Sequence, residues 1–155
     1  MKCRRRISFI AALGFATLSS LANAHDMSGK PEWSAFGMPG KPASASRTIA
    51  ITVRDMRYSL KNLQVRTGET IRFIITNRGP SKHEFVIGNR NFHARHIKEM
   101  EAMPDMDMNE ANSTDLNPGE TKSLTWQFTK PGDYVFGCDM PGHFQAGMSG
   151  TIKVQ

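Results

Sequence analysis

Cysteine is almost absent from this 155-residue chain: Cys3 and Cys138 are the only two. Long apolar runs are missing as well. The one sustained stretch, Ile7 to Leu21, falls short of the roughly 20 residues that a transmembrane helix needs. Acidic residues are missing from the first 24 positions, where Lys2, Arg4, Arg5 and Arg6 precede that stretch and Ala22-Asn23-Ala24 follows it. A charged start, a short apolar middle and an A-x-A end make an export signal cleaved after Ala24. The arginine pairs hint at a twin-arginine route, although the residues after them fit it poorly. Export of this kind predicts a periplasmic protein with no stable membrane insertion after cleavage.

Cleavage removes Cys3 and four of the 20 basic residues. The mature chain, 155 less 24 or 131 residues, then carries 16 basic side chains against 14 acidic ones, a net charge of +2. The basicity of the whole chain therefore belongs to the signal and gives no argument for nucleic acid as a partner. With Cys138 alone, no internal disulfide can form. A lone thiol in an oxidising compartment is a liability unless something occupies it.

The mature length suits one domain with one core. Residues 25–46 hold three prolines and three glycines without a sustained period, and predict a flexible N-terminal arm. From residue 47 the period becomes two. Ile49, Ile51 and Val53 alternate with polar residues, as do Ile71, Phe73 and Ile75, then Leu124, Trp126 and Phe128. Gly68-Glu69, Pro118-Gly119-Glu120 and Pro131-Gly132-Asp133 supply turns. Many short strands with regular turns predict an all-β domain over residues 47–155, an antiparallel β-sandwich. Between Asn91 and Met108 the spacing turns helical, predicting a short Met/His-rich helix and loop inserted between strands. Six acids from Glu99 to Asp115 give that insertion a solvated outer face.

Chemistry concentrates near the C-terminus. Cys138, His143 and Met148 stand at even spacing, and Pro141-Gly142 lets the chain turn back between the first two. His83 stands far upstream at the start of an apolar strand pattern. A thiolate, two imidazoles and a thioether are the donors of a mononuclear type 1 copper centre, a His₂Cys plane with a weak axial Met. Strand alternation supports their convergence. His83 shares a face with Phe85 and Ile87, Cys138 with Tyr134 and Phe136, and Met148 with Ile152 and Val154, so each donor continues an apolar row.

The segment Asn77-Arg78-Gly79-Pro80-Ser81-Lys82-His83 and the C-x4-H-x4-M loop resemble the two ligand segments of a cupredoxin over about residues 47–155. The resemblance implies a Greek-key β-sandwich with copper held by His83, Cys138, His143 and Met148. Within that family the chain is most similar to the periplasmic copper-tolerance group (CopI-like), on the His83-Glu84-Phe85 start, the Met-rich acidic insertion and the Trp126-Gln127-Phe128-Thr129-Lys130 run. In one respect it departs from many electron-transfer cupredoxins, which have Asn after the first His ligand. Here Glu84 stands there, and a carboxylate at that place bears on thiolate hydrogen bonding and site rigidity.

Two functions remain compatible with these residues. One is copper tolerance and homeostasis, with copper ions as the partner. The other is one-electron transfer between periplasmic redox partners, with Met140, Pro141, Gly142 and Phe144 around His143 either docking a partner or packing inside the loop. A secondary copper site is a further expectation: His93, His96, Met100 and Met103 at helical spacing, extended by Met106 and Met108, or His25 with its own amine if cleavage follows Ala24. Core packing accounts for the same helical stripe equally well, and a disordered arm for His25. An enzyme is not expected. The chain lacks the H-x-H pairs of multicopper oxidases, and Gly142 stands where a binuclear site needs a second cysteine.

Overall fold

The computed structural model describes residues 29–103 and 110–155. In chain order its elements are β1 (Met38–Pro39), β2 (Arg47–Arg54), β3 (Arg57–Tyr58), β4 (Asn62–Val65), β5 (Thr70–Asn77), β6 (His83–Gly88), α1 (Arg90–Ala102), β7 (Ser113–Leu116), β8 (Thr121–Gln127), β9 (Gly132–Gly137) and β10 (Ser149–Val154). They form two five-stranded sheets, ordered β1-β8-β5-β2-β3 and β4-β10-β9-β6-β7. The expected sandwich is present, but it is not wholly antiparallel. β2 pairs with β5, and β4 with β10, in parallel. Each parallel pair joins strands far apart in sequence, a pairing that no local turn announces.

The inner faces are the apolar rows expected from the period of two. Ile51, Val53, Ile71, Phe73, Ile75 and Trp126 from one sheet meet Phe85, Ile87, Phe136 and Ile152 from the other, all buried. Burial of each such side chain is worth about 1.5–3 kcal/mol. The register places Ile71 opposite Trp126 and Phe73 opposite Leu124. Towards the β6–β9 end the filling is aromatic: Phe85 stacks on Phe136 at 5.5 Å, and Tyr58 meets Phe136 edge-on at 5.4 Å. That wall lies beneath Cys138, one residue beyond β9.

Residues 29–46 depart from the flexible arm expected of them. The segment forms two short 3-10 turns and the strand β1, which pairs with β8. Phe36 is buried and touches Trp126 of β8, Tyr134 of β9 and Phe92 of α1, at ring separations of 5.6–6.0 Å. Trp33 adds an edge contact with Trp126, and Glu32 pairs with Arg95 of α1. Two aromatic anchors thus outweigh the proline- and glycine-rich composition. Positions 25–28, and the signal sequence, lie outside the described residues.

The helical insertion is present as α1, capped by the Asn89 side chain accepting from the Phe92 N–H at 2.8 Å. It packs on β6 and β9, burying Phe92, His93, His96 and Ile97. For this reason all six residues of β6 are buried, on both faces of the strand. No helix among the described residues is long and apolar enough to cross a membrane.

Candidate metal centre

Three strand ends converge at one end of the sandwich. His83 opens β6, Cys138 follows β9 and Met148 precedes β10. Between Cys138 and Met148 the loop is closed by its own backbone. The Cys138 N–H donates to the Met148 carbonyl at 3.1 Å, the Met148 N–H to His143 at 3.1 Å, and the His143 N–H to Met140 at 3.0 Å. Gly142 makes the turn with φ +82°, a conformation that side chains disfavour. Gly137 serves by having no side chain: a Cβ there would lie 2.7 Å from the Phe144 ring, which packs across it.

Ligand-capable atoms of His83, Cys138 and His143 all lie within 4.8 Å of one another, the one such group of three or more His, Cys or carboxylate residues among the described residues. Cys138 Sγ is 3.3 Å from His143 Nδ1. The Glu84 N–H donates to Sγ at 3.3 Å. Met148 is buried beside them, tied to Cys138 through the backbone. Asn77 braces the approach to His83: its Nδ2 donates to the Ser81 and Leu116 carbonyls (2.7 and 3.0 Å), and its Oδ1 accepts from the Gly79 N–H (2.9 Å).

The electrostatics suit a cation. Burial pushes the Cys138 thiol up to about 12, against N–H groups of Glu84 and Met140 that favour the thiolate. Burial lowers His83 and His143, and each imidazole's proximity to the other adds to this at His83. His83 Nδ1 is buried without a protein partner. A buried thiol, neutral imidazoles and an unpartnered nitrogen fit a thiophilic metal that replaces the thiol proton. Below about pH 12 the folded apoprotein holds that proton, so binding releases it. Cu(I) affinity is therefore expected to rise about tenfold per pH unit between pH 7 and 9. Steepening is expected only below the ordinary imidazole range, because both histidines are lowered. Competition with a chromogenic chelator at several pH values measures the slope, and a flat profile would contradict it.

The secondary set does not converge in the same way. His93 and His96 face inward from α1, each against a carboxylate: His93 Nδ1 lies 2.8 and 2.9 Å from the two Asp139 oxygens, and His96 Nε2 lies 3.3 Å from Glu84 Oε1. Met100 is half-buried and Met103 exposed at the helix end. His25, Met106 and Met108 lie outside the described residues. The helical spacing was informative about α1, but the histidines it carries are engaged by Asp139 and Glu84. Sequence reasoning passed over Asp139 and Asn77 as supporting residues; the only signal was their adjacency to the ligand segments. The backbone N–H of Glu84 serves the sulfur, while its carboxylate turns away to His96 of α1.

The sequence profile of the Cupredoxin-like domain matches residues 9–152. The chain belongs to the cupredoxin family. Among similar cupredoxins is the copper-resistant cuproprotein CopI of Rubrivivax gelatinosus, 40% identical over 135 residues that cover 86% of this chain and 79% of that one. The CopI of Pseudomonas aeruginosa is 35% identical over 150 residues, covering 78% and 83%. Among solved cupredoxins, the reduced auracyanin of Roseiflexus castenholzii superposes with a TM-score of 0.61 at 29% identity, covering 72% of this chain and 98% of that one. Auracyanin B superposes at 0.65 with 22% identity, covering 77% and 96%, a likeness of fold.

Proposed function

We propose that this cupredoxin is exported to the periplasm, binds one copper ion and serves copper tolerance. The observation that carries the reading is the convergence of Cys138, His83 and His143 beneath a self-bonded loop. These three residues would hold the ion as a type 1 centre, with the buried Met148 as a further, weaker thioether donor. Bound copper would supply one-electron redox chemistry. The protein's own contribution is to bury the thiolate, keep both imidazoles neutral and direct the Glu84 N–H at sulfur. Similarity to the CopI proteins, named for copper resistance, supports tolerance over electron transfer.

The second reading, a one-electron carrier, draws on His143 itself. Its ring is partly exposed, next to exposed Pro141 and Gly142 and half-buried Met140 and Phe144. Gene deletion with complementation tests the first reading. Loss of growth on elevated copper, restored by the wild-type gene and not by Cys138→Ser, is expected. Restoration by Cys138→Ser, or unchanged tolerance on deletion, would overturn it.

A further inference from the structure

Behind the metal donors lie two buried histidine–carboxylate pairs, His96–Glu84 and His93–Asp139. Glu84 directly follows the donor His83, and Asp139 directly follows the donor Cys138. All four side chains are 2% exposed or less. His93 and His96 stand three residues apart on α1, so one helix holds the residue next to a donor on each of two neighbouring strands. The His93 contact is complete at both nitrogens, because Nε2 lies 3.2 Å from the Val135 carbonyl oxygen. A carbonyl only accepts, so Nε2 is the donor in that contact, and Nδ1 faces the Asp139 carboxylate.

Glu84 has the more direct connection to the metal centre. Its N–H donates to Cys138 Sγ, its carbonyl accepts from the Tyr58 hydroxyl, and its carboxylate meets His96. The Glu84 peptide is thereby held at three points. Releasing one of them lets the N–H swing relative to sulfur, and hydrogen bonds at a cysteine ligand tune the metal it holds. On the other strand, His93 fixes Asp139 and so the start of the ligand loop, helped by Phe144 packed against the His93 ring at 5.0 Å.

We propose that His96 and His93 are positioning residues of the copper centre: α1 locks the two ligand segments through Glu84 and Asp139, setting the hydrogen bond at Cys138 sulfur and the hold on copper. The inference rests on the copper reading above. It concerns histidines that touch no donor, and the helix acts through the residues it grips.

The test compares His96→Leu and His93→Leu with His96→Gln and His93→Asn, which keep a nitrogen donor near the native position. Ile97→Ala, a buried apolar residue of the same helix, controls for lost stability. Each Leu variant is expected to weaken Cu(I) binding about 10–100-fold and to shift the thiolate-to-copper absorption. The amide variants should restore both, and Ile97→Ala should lower the melting temperature without moving the band. Should His96→Leu not fold, Glu84→Gln with His96→Leu leaves no unpaired carboxylate at that position, and the same loss is expected of it. Wild-type-like bands and affinity in the Leu variants, or an equal band shift in Ile97→Ala, would overturn the proposal. The rate at which a thiol reagent modifies Cys138 in metal-free protein is read alongside. A rise in the Leu variants alone supports the lock, and unchanged rates contradict it, even if the wild type gives no copper band and the copper reading fails.

Discussion

Cys138→Ser is expected to weaken Cu(I) binding by more than about 100-fold and to abolish the thiolate-to-copper absorption, with the fold retained. Loss of an outer partner alone costs about 10–100-fold at a metal site, and here a donor itself is removed. A hydroxyl is a hard, protonated group that does not replace a soft thiolate for Cu(I). It does fit the space: Cys138 is fully buried, and the Glu84 N–H that faces sulfur can be accepted by an oxygen. The stability penalty should stay within about 1–3 kcal/mol, the cost of burying a hydroxyl with partial compensation. Chelator competition and circular dichroism measure the two effects. Affinity within tenfold of wild type would remove the thiolate from the centre of the account.

Phe36→Ala should destabilise the domain by about 3–5 kcal/mol, as large-to-small changes at buried aromatic sites do. Three elements lose a shared contact at once, because Phe36 packs on Trp126, Tyr134 and Phe92. No polar group is left unpaired, so the loss comes from transfer and from the cavity. The melting temperature of the metal-free protein is expected to fall by roughly 10 °C or more. A fall of one or two degrees would mean that residues 29–46 are the loose arm their composition suggested. Since Phe92 belongs to α1, looser packing of that helix on β6 and β9 is expected to accompany the change, visible as faster amide exchange in α1.

What the sequence revealed follows from which contacts are local. Cys138, His143 and Met148 occupy one loop, and His83 begins an apolar strand, so the grouping of His83, Cys138 and His143 could be anticipated from residue type and alternation. Strands such as β2 and β5 were legible because their inner faces are apolar and their outer faces mainly polar. β6 gave a weaker signal, since α1 covers its second face and every residue is buried. The parallel pairings β2–β5 and β4–β10 arise from crossovers between sheets and leave no trace in local pattern. In residues 29–46 proline and glycine content hid two aromatic anchors, a case of tertiary packing overriding composition. The stripe on α1 was ambiguous for a physical reason. A histidine at helical spacing can face a metal or a buried carboxylate, and the partners that decide it are 12 residues away for His96 and 46 for His93.

A Cu(II) titration of the mature protein, followed by optical absorption and electron paramagnetic resonance with copper counted per chain, tests the central claim most directly. The account predicts an intense thiolate-to-copper band that saturates at one copper per chain, with the resonance of a single mononuclear centre. Absence of that band in folded, reduced protein would contradict it.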